Sequence, residues 1–175
     1  MTPLWDYAIT LYALKDVKPA LIKLQDRYHF DVSHLLWCVW TARMAFPLSD
    51  EDVVEILASA DELSRYGVRR LRAIRLFLSS PKPGIEPAAL QDLRSDVLEA
   101  EIKGERLVLD QLQASTLTYG MPKIGSLPFK PRAEHLFTLT RRNVDMPVMI
   151  TDEVGPGSPS GLFGQVIKAA EGQAS

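Results

Sequence analysis

The chain has 175 residues, enough for one ordinary domain. Hydrophobic residues make up 46% and charged residues 24%, globular proportions that exclude wholesale disorder, collagen-like repeats and coiled-coil composition. The net charge is -2 with a sequence pI near 5.9, so no global positive field draws in nucleic acid, and the single cysteine, Cys38, excludes a disulfide framework or a multi-cysteine zinc site.

The opening Met1-Thr2-Pro3-Leu4-Trp5-Asp6-Tyr7 has neither a basic region nor a continuous apolar segment, which argues against a signal peptide. Pro3 suits a first helical turn, and Leu4, Ala8, Leu11 and Tyr12 recur at helical spacing, predicting a first helix from about Pro3 to Leu14. Asp16 is the expected cap of a second helix, with Val17, Leu21, Leu24 and Tyr28 along its apolar stripe. A third helix opens at Asp31 or Ser33 and stops before Pro47. Its centre, Leu35-Leu36-Trp37-Cys38-Val39-Trp40, is apolar all round, the pattern of a helix covered on every side. That run is also the longest apolar stretch, far short of the ~20 residues of a membrane span. No membrane association and a cytoplasmic location are expected.

Ser49 and Asp52 have the spacing of a capping box for a fourth helix built on Val53, Ile56, Leu57 and Ala60. Gly67 is expected to interrupt or kink it before Val68, Leu71, Ile74 and Leu78 resume the pattern. After the turn-forming 79–84, Pro87 starts a long helix to about Thr118, with Leu90, Leu93, Val97, Ala100, Gly104, Val108 and Leu112 as its core line. The short link predicts an antiparallel hairpin. Charge agrees: 65–75 holds five arginines and no acid, and 86–110 holds seven acidic against three basic side chains.

Residues 121–175 carry 6 of the 12 prolines and 6 of the 10 glycines, predicting an irregular C-terminal arm over 119–175 beside a helical domain over 1–118. Within the arm, His135 to Thr140 and Val148 to Thr151 read as short strands, and 155–161 as a linker. Leu162, Phe163, Val166 and Ile167 share one face of a short terminal helix.

The block Leu4-Trp5-Asp6-Tyr7-Ala8, Leu11-Tyr12-Ala13, Leu24-Gln25-Asp26-Arg27, Asp31-Val32 and Leu35-Leu36-Trp37-Cys38 resembles an uncharacterised proteobacterial family of small proteins. The likeness extends more weakly through Arg72 and Arg75 to Glu101-Ile102-Lys103-Gly104-Glu105-Arg106 and covers about the first 110 residues. It implies an all-helical, cytoplasmic bacterial protein and carries over no catalytic residue.

Glu101 is the main chemical oddity, because it falls on the apolar face of the long helix between Val97, Gly104 and Val108. A carboxylate there must find a cation or lose its charge. Symmetric closure of the hairpin puts Arg65 opposite it, with Arg69 near. The cluster of Arg65, Arg69, Arg72, Arg75, Glu101 and Glu105 reads either as a register-fixing ion-pair network or as a polar cleft floored by Trp37. Trp5, Tyr12, Trp37 and Trp40 are expected in the core. The acidic helix competes for the arginines, so no nucleic-acid binding is expected.

Asp92 with Asp96, and His34 with Cys38, each lack the further ligands of a metal or catalytic site, and no metal or cofactor is expected. Phosphate-loop, Gly-x-Ser-x-Gly and His-Glu-x-x-His motifs are absent.

The expected fold is all-α, a five- to six-helix bundle with an irregular arm. The first functional expectation is a non-enzymatic interaction or regulatory module that docks Leu162, Phe163, Val166 and Ile167 onto a protein partner or a second copy. The alternative is a small-molecule-binding bundle or enzyme using the Arg/Glu-lined cleft.

Overall fold

The computed structural model describes residues 1–122, 128–141 and 155–172. Over these residues the chain forms α1 (Leu4–Tyr12), α2 (Val17–Tyr28), α3 (Val32–Met44), α4 (Asp50–Leu63), a π-helical turn (Ser64–Val68), α5 (Arg69–Phe77), α6 (Pro87–Thr118), α7 (Phe129–Arg141) and α8 (Pro159–Glu171). No strand occurs among the described residues. None of their helices is long and apolar enough to cross a membrane.

Helix α3 is the central rod. Asp31 caps it by accepting hydrogen bonds from the Ser33 and His34 backbone N–H groups. Every residue from Ser33 to Ala42 is buried, as the all-round apolar pattern requires. The two indoles of α3 need partners for their N–H groups, and both find them. Trp37 Nε1 donates to Thr116 Oγ1 on α6 at 2.8 Å, and Trp40 Nε1 to the Thr2 carbonyl at 2.9 Å. These bonds tie α3 to the end of the long helix and to the start of the chain. Cys38 is fully buried, and burial pushes its thiol well above the usual range.

Most local signals of the first half are reproduced, but Asp16 precedes α2 in a helical conformation and its side chain makes no capping hydrogen bond. Ser49 and Asp52 form the capping box of α4. α2 ends with His29 in a left-handed conformation (φ 59°), its N–H bonded to the Gln25 carbonyl. Gly67 lies in the π-helical turn, so α4 runs into α5 without a break. That turn presses on α6: a Cβ added at Gly104 would sit 3.0 Å from Val68 Cγ2. Glycine thus permits the closest approach of the two segments.

The C-terminal region differs from expectation in two ways. His135 to Thr140 is helical, part of α7, and not a strand. Its buried residues Ala133, Leu136, Phe137 and Thr140 recur at helical spacing, and Pro131 falls in the first turn, where its missing N–H costs nothing. The expected strand from Val148 to Thr151 lies outside the described residues.

The second difference concerns packing. α7 packs against α3, and α8 against α2 and α7. Their side chains join one hydrophobic core with those of α1 to α4 and α6. Phe137 stacks between Phe30 and Phe163, with centroids 5.1 and 4.4 Å away. The Pro/Gly cluster at 155–161 starts α8, with Pro159 in its first turn and Ser158 accepting from the Gly161 N–H. Segments read as an arm are therefore core helices, because their turn formers open helices instead of breaking them.

Truncation of Phe163 to alanine is expected to cost about 3–5 kcal/mol of stability, the value for a large buried aromatic. Urea unfolding measures this, and a loss below ~0.5 kcal/mol would place the side chain on the surface. Cys38 is expected to resist iodoacetamide in the native protein and to react once urea unfolds it; mass spectrometry of the alkylated chain distinguishes the two states.

Candidate functional site

Helix α5 is the outlier of the fold. None of its nine residues is buried, and its main contacts are with α6 and the π-helical turn that feeds it. Together with the middle of α6 it forms a two-helix wall. Facing that wall are α1, α2 and the start of α3, and between them lies a cleft of about 700 Å³.

Each element contributes one strip of the lining. Leu98, Ile102, Glu105 and Leu109 follow one another at four- and three-residue steps along a single side of α6. α5 adds Arg72, Arg75 and Leu76; α1 adds Trp5, Ile9 and Tyr12; α2 adds Lys18, Ile22, Gln25 and Asp26. Val32, Ser33 and Leu36 of α3 close the inner end. Several of the apolar members remain open to solvent: Ile9 is 51% exposed, Leu76 57%, Leu98 42% and Ile102 45%. Arg106 stands 5.4 Å from the Trp5 ring and Lys18 5.8 Å from the Tyr12 ring, so cations flank both aromatics.

The polar floor is a four-residue ion cluster. Glu101, only 3% exposed, accepts from Arg72 Nε at 2.8 Å, from Arg75 Nη2 at 3.2 Å and, through its other oxygen, from Arg75 Nε. Arg72 also donates from Nη2 to Glu105 Oε1 at 2.5 Å. Burial pushes the Glu101 carboxyl up, but the hydrogen bonds and charges of Arg75 and Arg72 outweigh it and hold the group below the usual glutamate range. Glu105 goes the other way. Burial, reinforced by Glu101 and Asp31, raises it despite Arg72. Tyr12 is raised by burial and by Glu105. The environment thus shifts two neighbouring carboxyls in opposite directions.

The expected cluster is met in part. Arg72, Arg75, Glu101 and Glu105 come together on the cleft wall. Arg65 and Arg69 do not line it. Arg65 pairs with Asp61 one turn away at 2.9 Å. Arg69 acts near the α3 cap: burial pushes Asp31 up, but His34, the Ser64 hydroxyl and Arg69 together hold it below its usual range.

The register explains the change of partner. Val68 meets Gly104 and Arg72 meets Glu101, so α5 sits further along α6 than symmetric closure of the loop would place it. Trp37 is not the cleft floor; it is wholly inside the core. Of the aromatics expected in the core, Trp5 and Tyr12 instead line the cleft, only partly buried.

Leu162, Phe163, Val166 and Ile167 are 3% exposed or less and covered by this chain's own helices, which removes them as a docking face. Asp92 and Asp96 are exposed, and His34 and Cys38 are buried. Among the described residues no group of three or more His, Cys, Asp or Glu side chains is placed to hold a metal ion.

Residues 3–112 match the family model described as protein of unknown function, DUF2390. The chain belongs to that family. No curated protein and no solved structure is detectably similar to it. In this DUF2390 member the matched segment runs from α1 into the last third of α6. Every residue lining the cleft falls inside it, whereas α7 and α8 lie beyond it.

Replacing Glu101 by alanine leaves two guanidiniums facing each other across a partly dehydrated floor. A loss of about 3–5 kcal/mol is expected, as for breaking a buried pair from one side. A urea titration showing less than ~1 kcal/mol would mean that the pair is solvated.

Proposed function

We propose that the protein is a small-molecule-binding helical bundle, and that the cleft between α1–α2 and the α5–α6 wall takes an apolar or amphipathic ligand. The observation that carries this reading is the cleft itself. Its volume, about 700 Å³, is in the range of ligand sites, and it combines a mostly apolar lining with a few convergent polar groups. Large aliphatic side chains left half-exposed around one concavity represent apolar surface that a ligand would cover. The rival reading, an interaction module docking through its C-terminal helix, loses its support because those side chains already sit in the core.

The test uses N-phenyl-1-naphthylamine, an uncharged apolar probe that fluoresces when removed from water. The native protein is expected to bind one equivalent. Leu98→Trp puts an indole into the cleft from a half-exposed position and is expected to weaken probe binding about tenfold, with the urea midpoint unchanged. Equal probe affinity in the two proteins, or no binding to either, would overturn the proposal.

A further inference from the structure

The two carboxylates of the ion cluster are not equivalent, and the difference bears on the ligand's head group. Glu101 is committed: both its oxygens are hydrogen-bonded, and its side chain is 4% exposed. Glu105 is held through one oxygen, to Arg72 Nη2, and its side chain is 31% exposed at the cleft surface. Arg75 and Glu101 compensate each other through a two-point contact. Arg72 spends Nε on Glu101 and Nη2 on Glu105.

The charge count follows. Arg72, Arg75, Glu101 and Glu105 sum to zero, and Lys18 and Asp26 elsewhere in the lining cancel. With Glu105 turned out towards solvent, the lining is left with one positive charge, and Arg72 Nη2 loses its partner in a cleft that Leu98 and Ile102 also line. A guanidinium in that position matches a carboxylate in geometry and charge, and the place where the carboxylate would sit is where Glu105 now reaches.

We infer that Glu105 occupies the head-group position of the ligand, and that the ligand is a carboxylate-bearing apolar molecule whose carboxylate displaces Glu105 from Arg72. The inference rests on the cleft being a binding site and specifies what it binds. The apolar body lies against Trp5, Ile9, Leu98 and Ile102, and the single negative charge of the head restores neutrality. A dianion would over-compensate the one charge exposed. With Glu105 turned out, a cation would add to the net positive charge of the lining.

The raised pKa of Glu105 is consistent with a group whose charge is poorly rewarded where it stands.

Displacement of N-phenyl-1-naphthylamine tests this with three probes sharing a ten-carbon chain: decanoate, decanol and decyltrimethylammonium. Decanoate is expected to compete about tenfold better than decanol, and decyltrimethylammonium worse than either. Glu105→Gln is expected to improve decanoate several-fold and leave decanol unchanged. Arg72→Gln is expected to bring decanoate down to the level of decanol.

Equal competition by decanoate and decanol, or a Glu105→Gln protein with unimproved decanoate binding, overturns the inference while leaving the cleft as a site for neutral molecules. Failure of N-phenyl-1-naphthylamine itself to bind overturns both. Arg72 holds Glu101 as well, so its variant is the one at risk of misfolding. Glu105→Gln decides the matter without it.

Discussion

The carboxylate of Glu101, shared between two guanidiniums, is the interaction on which the cleft side of the molecule depends. α5 buries no side chain of its own, so hydrophobic burial does little to fix its position. What locates it on α6 is the pair of arginines one turn apart, both reaching the same buried acid, with Val68 seated on Gly104 just before them. Such a cluster adds little net stability over apolar packing, since dehydrating the charges cancels much of their attraction. Its effect is to select a register. A shift of α5 by one residue would turn Arg72 and Arg75 away from Glu101 by about 100° and leave the acid buried alone.

That register in turn creates the cleft. A helix hairpin held by ions can stand away from the bundle, because it does not need a continuous apolar seam. The opposing strip from α1 and α2 then has nothing to cover it, and Ile9, Leu76, Leu98 and Ile102 remain half-open. α3, by contrast, is held by burial on all sides and by two indole hydrogen bonds. The protein therefore joins a conventionally packed body, which includes α6, to a single helix, α5, positioned by electrostatics, and the candidate site lies along the seam.

Much of this was legible in the residue order. The spacing of α1 to α4, the capping box at Ser49, the all-round burial of α3 and the anomaly of Glu101 on an apolar face are local patterns, and local patterns survive folding. The partner of Glu101 was not legible. It depends on the path of residues 79–86, and symmetric closure puts Arg65 where Arg72 and Arg75 stand. α7 is not legible, because a six-residue window from His135 cannot separate a strand from a helix, and Pro131 resembles a breaker although it is a first-turn residue. The cleft could not be read at all: Leu98 and Ile102 look like ordinary surface aliphatics until α1 and α2 are placed opposite them. One sign was present, since both lie off the core line of α6.

The absence of any buried residue in α5 has a thermodynamic corollary. A segment whose hold is a handful of charge-assisted contacts is expected to detach at a lower free energy than the body it leans on. Excursions of α5 would widen the cleft while α7 and α8 stay closed around the stack of Phe30, Phe137 and Phe163. Entry to the site is thereby uncoupled from global unfolding. Ionic strength would act on that hold only weakly, because Glu101 and both arginines are largely shielded from solvent.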